Sequence, residues 1–224
     1  MQNTTTLPWD EIECVLLDMD GTLLDLNFDT YFWQHYLPQR YAFTRGLDIP
    51  TAKRVLAPHF SKVAGTLDWY CLDYWRELLG IDIVELKRDI VHLIAVLDGA
   101  IEFMDRLRKQ GKRTLLVTNA HPGSLALKLE HTRLENHLDR IISVHQMGVP
   151  KEEVLCWHKL QALEPFDPAR TLLVDDNLRA LRSAQQFGIR HLLAACKPDT
   201  QQPPQPTTEF AAFQHFDEVM PPRH

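Results

Sequence analysis

Long apolar stretches and a secretory leader are both missing from this sequence. It contains no run of about 18 apolar residues, which is the length that a membrane-spanning helix needs. Residues 1–6 carry neither the basic nor the apolar stretch of a secretory signal. We therefore expect no membrane partner, and we expect the protein to reside in the cytoplasm.

Paired cysteines and an excess of positive charge are missing as well. The four cysteines form no C-x-x-C pair, which argues against a disulfide scaffold or a zinc finger. The 24 Lys and Arg residues are outnumbered by 30 Asp and Glu residues, and the formal net charge is -6. Binding to a nucleic acid polymer needs a basic surface, so we expect no such partner.

The composition is that of a globular chain, with 45% apolar and 24% charged residues. The length of 224 residues exceeds the typical single-domain length of about 100 to 200 residues. We therefore expect one core domain with an inserted or appended module.

Five short apolar runs have the length of strands that are buried on both faces. They are residues 14–17, 114–117, 141–144, 171–174 and 191–195. Helical patterns at residues 124–134 and 178–187 lie between them. This alternation predicts an α/β fold with a parallel sheet that helices cover on both faces. In such sheets, ligands bind at the carboxyl ends of the strands.

Residues 27–97 interrupt the alternation. They contain no convincing buried strand, but they contain helical patterns at residues 29–41, 50–60, 68–79 and 84–96. We predict that this segment is an all-helical cap over the strand ends, and that residues 1–26 and 98–224 form the core. The proline-rich residues 201–206 cannot be regular structure. They should lead to Phe210, Phe213 and Phe216, which we expect to pack on the core.

Two carboxylates follow the first predicted strand. One residue separates Asp18 from Asp20, so the two side chains point the same way from an extended backbone, and Gly21 then allows a sharp turn. The pair suits phosphoryl transfer, in which one carboxylate attacks phosphorus and the other handles the proton of the leaving oxygen and then of water. Taken alone, the pair also fits a solvated acidic turn.

Polar groups follow the other predicted strands. Thr118 and Asn119 can donate to a phosphate oxygen, although such a pair also caps helices. Lys151 offers a positive charge, although a lone lysine is usually part of the solvated surface, and the adjacent Asp175 and Asp176 suit a hard cation. These groups and the first pair of carboxylates together indicate phosphate chemistry.

The order of these motifs resembles the four motifs of the haloacid dehalogenase-like (HAD) hydrolase superfamily. The resemblance implies a Rossmann-like α/β core, a three-layer parallel sheet with the helical cap inserted. It implies that Asp18 is the nucleophile, which forms an aspartyl-phosphate, and that Asp20 is the general acid/base. It also implies that Thr118 and Lys151 bind the transferring phosphate, with Asn119 beside them.

The same resemblance implies Mg²⁺ as the cofactor. The ligands would be carboxylate oxygens of Asp18 and Asp175 and the backbone carbonyl of Asp20. Asp176 would be a further ligand, or it would contact one of the ligands without binding the metal itself. The compact pair of acids leaves open which of Asp175 and Asp176 binds directly. Haloacid dehalogenases generally lack the second carboxylate of the first motif, so Asp20 favours a phosphatase or a phosphomutase.

A cap at this position is similar to those of small-molecule phosphatases and predicts a small phosphate monoester as the substrate. The candidate substrate contacts are Trp69, Tyr70, Asp73, Tyr74 and His121. One interpretation is that the aromatic rings pack the cap helices together. The other is that one ring stacks on a flat base while Asp73 or a neighbouring residue accepts a base N–H.

Four stretches, residues 26–29, 65–75, 89–94 and 117–122, resemble the bacterial GMP/IMP nucleotidases of the superfamily. That resemblance implies hydrolysis of purine 5'-nucleotides to nucleoside and phosphate. The alternatives are a sugar-phosphate phosphatase or phosphomutase of the same superfamily, and a non-catalytic binding protein, which the presence of Asp18, Asp20 and Lys151 disfavours. The sequence leaves a monomer and a homodimer equally open.

Overall fold

The computed structural model describes residues 7–223, and the prediction about a secretory signal in residues 1–6 lies outside that part of the chain. The strands are β1 (Cys14–Leu17), β2 (Arg113–Thr118), β3 (Arg140–Ser143), β4 (Thr171–Asp175), β5 (His191–Ala195) and β6 (Ala211–Phe213). They form one sheet in the order β3-β2-β1-β4-β5-β6, and every neighbouring pair is parallel. The predicted parallel α/β sheet is therefore confirmed.

Helices cover both faces of the sheet because alternate residues of each strand point to opposite sides. The helices are α7 (Ala100–Lys109), α8 (Pro122–Thr132), α9 (Val154–Leu163) and α10 (Leu178–Phe187). Val15 and Leu17 of β1 share one apolar cluster with Phe103 of α7. Leu16 of β1 shares the opposite cluster with Trp157 of α9. The three-layer arrangement is therefore confirmed, with β1 buried at its centre.

Helices also form most of the segment between β1 and α7. They are α1 (Asn27–Tyr31), a π-helical turn (Phe32–Tyr36), α2 (Leu37–Arg45), α3 (Ile49–Val63), α4 (Leu67–Tyr70), α5 (Leu72–Leu79) and α6 (Ile83–Arg88). The insertion is thus helical, while the division into core and cap at residues 27 and 97 stays a prediction. The helix predicted for residues 68–79 is two helices, because Cys71 adopts an extended conformation between them.

The single helix predicted for residues 84–96 is wrong. Helix α6 ends at Arg88, and only a 3-10 turn, Val91–Leu93, follows. The chain must extend here because it pairs with the segment after β1. The Asp25 N–H donates to the Ala95 carbonyl and the Leu97 N–H donates to the Leu23 carbonyl, both at 2.9 Å.

The C-terminal tail packs on the core, as predicted. The Phe216 ring lies 4.9 Å from the Phe103 ring and 5.0 Å from the Phe213 ring, centroid to centroid. Phe210 packs against the cluster on the opposite face. The edge strand β6 was not predicted, because only three residues form it and two of them are alanines. Its pairing with β5 comes from the tail's position on the core.

No helix among residues 7–223 combines the length and the apolar character that crossing a bilayer would require.

We expect Phe216→Ala to lower the free energy of unfolding by roughly 3–5 kcal/mol, because truncating a buried aromatic ring leaves a cavity. The side chain is only 2% exposed. Urea unfolding measures the change. Phe43→Ala is the matched control, since Phe43 is 82% exposed and its truncation should change stability by no more than about 0.5 kcal/mol. Equal values for both variants would contradict the packing of the tail.

Candidate active site

Three neighbouring strands bring the predicted residues to one edge of the sheet. Asp18 directly follows β1, Thr118 ends β2 and Asp175 ends β4, and β1 lies between the other two. The Asp18 N–H donates to the Val174 carbonyl at 3.0 Å, which fixes Asp18 beside β4. A cavity of about 530 Å³ opens at this edge, and the catalytic and metal-binding candidates all line it.

The ammonium group of Lys151 joins two of these strand ends. Its Nζ donates to Asp175 Oδ2 at 2.7 Å and also donates to Asp18 Oδ1. The Lys151 side chain is 2% exposed. Burial alone would lower the pKa of Lys151, but Asp175 and Asp18 raise it well above its usual range. Lys151 is therefore a permanent positive charge in the cavity.

Hydrogen bonds from both sides hold the Lys151 backbone. Its N–H donates to Asn119 Oδ1 at 3.0 Å, and its carbonyl accepts from the Ser183 hydroxyl. The other end of the Asn119 amide donates to Glu152 Oε2 at 2.9 Å. Asn119 therefore connects the β2 loop to the Lys151 loop, and its predicted contact with phosphate stays a prediction.

A cluster of carboxylates lies beside Lys151. Oxygen atoms of Asp18, Asp175 and Asp176 lie within 4.8 Å of one another. Burial raises the pKa of Asp176 well above its usual range, and the charges of Asp18 and Asp175 add to the effect. Because three crowded carboxylate oxygens are the donors that hard divalent cations prefer, this set fits such an ion. A bound cation would relieve the repulsion among the three charges.

Gly21 allows the first motif to fit against this cluster. Its φ is +85°, and a Cβ at this position would stand 2.6 Å from Asp176 Oδ2. The Gly21 N–H donates to the Leu24 carbonyl at 2.7 Å and closes a tight turn after Asp20. Glycine is therefore needed here for the backbone conformation and for the space that the Asp176 carboxylate occupies.

Asp20 lines the cavity, but its side chain belongs to a different group of charges. Its Oδ1 accepts a hydrogen bond from Lys128 Nζ at 2.6 Å. Burial raises the pKa of Asp20 to about 6, with Lys128 opposing the shift. Burial likewise raises the pKa of Asp18 to about 6, where Lys151 opposes the shift and Asp175 adds to it. A carboxyl group with the pKa of Asp20 can give and take a proton near neutral pH.

Thr118 is buried at the end of β2, where its Oγ1 accepts from the Ala120 N–H at 3.0 Å. That bond leaves the hydroxyl hydrogen available to a ligand oxygen. His121, three residues further on, caps α8 through a bond from the Gly123 N–H to its Nδ1 at 3.2 Å. Both side chains line the cavity.

The candidates for substrate contact divide into two groups. Trp69, Tyr70 and His121 line the cavity, whereas Asp73 and Tyr74 do not. Asp73 Oδ2 lies 3.3 Å from His121 Nε2, so Asp73 can act on the cavity only through that ring. The Tyr74 ring meets the Trp75 ring edge-on at 5.1 Å.

Trp69 packs in the aromatic cluster, as the first interpretation requires, and the stacking of its ring on a base stays a prediction. It packs 5.9 Å from Trp33 and 5.8 Å from Phe60, ring centroid to ring centroid, and it also lines the cavity. Trp33 lines the cavity as well. The aromatic cluster of the insertion therefore forms part of the cavity wall.

Sequence reasoning missed Glu152. Its carboxylate accepts from the Asn119 and Asn177 amides, each at 2.9 Å, and from the Tyr70 hydroxyl at 2.8 Å. It therefore ties a helix of the insertion to the Lys151 loop. An acidic residue next to a lysine carries no such signal, because adjacent charges in a sequence are usually solvated.

Sequence reasoning also missed Lys87, Lys128 and Asp29, which line the cavity beside Asp20. Asp29 accepts hydrogen bonds from both lysines. The two lysines lie in predicted helical segments, where a lysine is normally exposed, so only the packing of the helices identifies them.

Comparison with known proteins gives a consistent result. A family model for haloacid dehalogenase-like hydrolases matches residues 12–188. The GMP/IMP nucleotidase YrfG of Escherichia coli (strain K12) is 42% identical over 194 residues, which cover 87% of each chain. The protein of the same name from Shigella flexneri matches with the same values.

Solved structures share the fold. A HAD phosphatase from Thermococcus onnurineus has a TM-score of 0.76 at 21% identity, with 92% of this chain and 95% of that chain covered. A HAD-superfamily hydrolase of subfamily IA from Geobacter sulfurreducens has a TM-score of 0.60 at 21% identity, with 93% and 94% covered. At these identities the likeness concerns the fold alone.

We expect Asp176→Asn to raise the melting temperature in the presence of a chelator. The pKa of Asp176 is raised in the folded protein, so its charged form opposes folding at neutral pH and a neutral amide removes that cost. A gain of about 1 kcal/mol corresponds to roughly 2–4 °C for a chain of this size. Differential scanning calorimetry measures the shift.

The exposed Asp98 provides a control, because Asp98→Asn should leave the melting temperature unchanged. A divalent cation should stabilise the native protein, since only the folded site binds it. It should stabilise the Asp176→Asn variant less, because the variant lacks one of the three carboxylates. A variant that melts below the native protein in chelator would contradict the crowding of the three carboxylates.

Proposed function

The chain belongs to the haloacid dehalogenase-like hydrolase family and is a phosphoric monoester hydrolase, and from that premise we propose its substrate and mechanism. The substrate is a purine 5'-nucleotide, GMP or IMP, which the enzyme cleaves with Mg²⁺ to nucleoside and phosphate through an aspartyl-phosphate on Asp18. One observation carries the mechanism. Lys151, Asp175 and Asp176 lie around Asp18, while Asp20 accepts a hydrogen bond from a separate lysine, Lys128.

Asp18 is the nucleophile in this mechanism. Its carboxylate oxygen forms a bond to phosphorus as the bond from phosphorus to the 5'-oxygen of the nucleoside breaks. Lys151 neutralises charge on the transferring group, and the Thr118 hydroxyl donates to one of its oxygens. Asp18, Asp175, Asp176 and the Asp20 carbonyl would hold Mg²⁺, which when bound would supply further neutralisation of the phosphate charge.

Asp20 moves the protons. Its carboxyl proton passes to the 5'-oxygen as that oxygen leaves, so the nucleoside departs as an alcohol. The carboxylate of Asp20 then takes a proton from the water that attacks phosphorus, and the bond from phosphorus to Asp18 breaks. Asp20 ends the cycle protonated, and Asp18 ends it free. The pKa of Asp20, about 6, supports both its donation and its uptake of a proton.

Two observations support a purine nucleotide as the substrate. A relative that is 42% identical over most of both chains bears the name GMP/IMP nucleotidase. The cavity wall also includes the rings of Trp33 and Trp69, on which a flat base can stack. A sugar-phosphate phosphatase or phosphomutase remains the alternative, because the same catalytic groups serve both. Cytoplasmic location and the choice between monomer and homodimer stay predictions of the sequence.

We expect phosphate release from GMP and IMP in Mg²⁺, with kcat/KM roughly tenfold or more above that for pyrimidine nucleotides and sugar phosphates, a difference of about 1.4 kcal/mol in transition-state binding. A phosphate-release assay with each substrate measures it. A chelator should abolish turnover. Asp18→Asn is the control, because a neutral amide cannot attack phosphorus.

Preference for sugar phosphates would reject the purine assignment and keep the mechanism. Conversion of a sugar phosphate to an isomer without phosphate release would identify a phosphomutase. Turnover by Asp18→Asn at the native rate would reject Asp18 as the nucleophile.

We expect Asp20→Asn to reduce kcat for a nucleotide by roughly 10²- to 10⁴-fold, which is the usual contribution of a general acid/base. The loss should be smaller for 4-nitrophenyl phosphate, because nitrophenolate leaves without a proton. The measured quantity is the ratio of kcat for the nucleotide to kcat for 4-nitrophenyl phosphate. An unchanged ratio would show that Asp20 does not protonate the leaving oxygen.

A further inference from the structure

Four charged side chains form a continuous line from Asp20 into the helical insertion. Lys128 Nζ donates to Asp20 Oδ1 at 2.6 Å and to Asp29 Oδ2 at 2.5 Å, and Lys87 Nζ donates to Asp29 Oδ1. We call these four residues the charge chain. They come from four separate segments, since Asp20 follows β1, Asp29 lies in α1, Lys87 in α6 and Lys128 in α8.

The lysines of the charge chain are more deeply buried than its carboxylates. Both lysine side chains are 2% exposed, whereas Asp20 is 20% and Asp29 is 18% exposed. A fully buried lysine is uncommon and costs desolvation energy unless a carboxylate pairs with it. Two positive and two negative charges balance here, and all four side chains line the cavity, with the carboxylates more exposed than the lysines that pair with them.

The far end of the charge chain is itself fixed. The Lys87 ammonium group lies 4.9 Å from the ring centroids of both Phe28 and Phe32, which are buried. Burial alone would raise the pKa of Asp29, but Lys128 and Lys87 hold it well below its usual range. Asp29 is therefore a permanent anion that keeps Lys128 in place.

The near end of the charge chain leaves one oxygen of Asp20 free. Among residues 7–223, Asp20 Oδ1 accepts from Lys128, whereas Oδ2 has no hydrogen-bond partner. Asp20 is only two positions from Asp18 and lines the same cavity, so a cation in the carboxylate cluster would also attract the side chain of Asp20. Without an opposing positive charge, Asp20 could become a metal ligand instead of a proton donor.

We propose that Lys128 is a positioning residue for Asp20. Its ammonium group holds Asp20 Oδ1 away from the carboxylate cluster and thereby leaves Oδ2 to exchange the proton of the leaving oxygen. Asp29, held by Lys87, fixes the ammonium group in turn. This role rests on the proposed function, because it takes Asp20 as the general acid/base.

The test replaces Lys128 by methionine, which fills a similar volume without a charge. We expect the ratio of kcat for GMP to kcat for 4-nitrophenyl phosphate to fall by roughly 10²-fold, since a small displacement of a catalytic group has an effect of that size. KM for GMP should change much less than kcat. Lys128→Gln is the second variant; its amide can reach only one of the two carboxylates, and the ratio should fall in it too.

Lys87→Met is the matched control. It removes an equally buried lysine from the same charge chain, but one that makes no hydrogen bond to Asp20. Both variants should lose stability, because each leaves a buried carboxylate unpaired. Only in the Lys128 variants should the ratio of kcat for GMP to kcat for 4-nitrophenyl phosphate fall as far as it does in Asp20→Asn. Melting temperatures measured beside the kinetics separate folding from positioning.

Each outcome decides the proposal. A native ratio in a folded Lys128 variant, or an equal fall in the ratio for Lys87→Met, would show that the charge chain is only structural. If Asp20→Asn changes the ratio while the Lys128 variants do not, the mechanism stands and the positioning role fails. If Asp20→Asn leaves the ratio unchanged, the proposed role of Asp20 fails and the positioning role fails with it.

Discussion

The contact of one buried ammonium group with two carboxylates at neighbouring strand ends is the interaction on which the site depends. Asp18 follows β1 and Asp175 ends β4, and the parallel register of these two strands brings the carboxylates together. Two such charges in a buried place repel each other. Lys151 compensates that repulsion only because its loop is fixed where the ammonium group can donate to both carboxylates. The backbone bonds to Asn119 and Ser183 fix it, so the edge of the sheet and both neighbouring loops act as one unit.

The insertion is attached to this unit through polar bonds as well as apolar packing. The Tyr70 hydroxyl reaches Glu152, which directly follows Lys151 in the chain, and Asp29 reaches Lys128 beside Asp20. Asp18 and Asp20 therefore each have a neighbour that connects them to the helices of the insertion. A ligand that enters the cavity meets groups from both parts of the molecule at once.

The sequence predicts what depends on local pattern. A short apolar run that ends in an acid identifies both a strand and its carboxyl end, which is why Asp18 and Asp175 could be found without a structure. Lys128 could not, because the burial of a helical lysine depends on which helices pack around it. The helix predicted for residues 84–96 was wrong for a similar reason, since the pairing of Ala95 and Leu97 with distant residues outweighed the local pattern. The same limit applies to the candidate substrate contacts. The sequence shows the aromatic residues at positions 69 to 75, but only the packing shows that Trp69 lines the cavity and Tyr74 does not.

The close approach of Gly21 to Asp176 bears on how mutational data for this protein should be read. A scan of single substitutions would find position 21 as intolerant as position 18, because any side chain would collide with the carboxylate and would require an unfavourable backbone conformation. Intolerance at position 21 would nevertheless say nothing about chemistry, since glycine offers no reactive group.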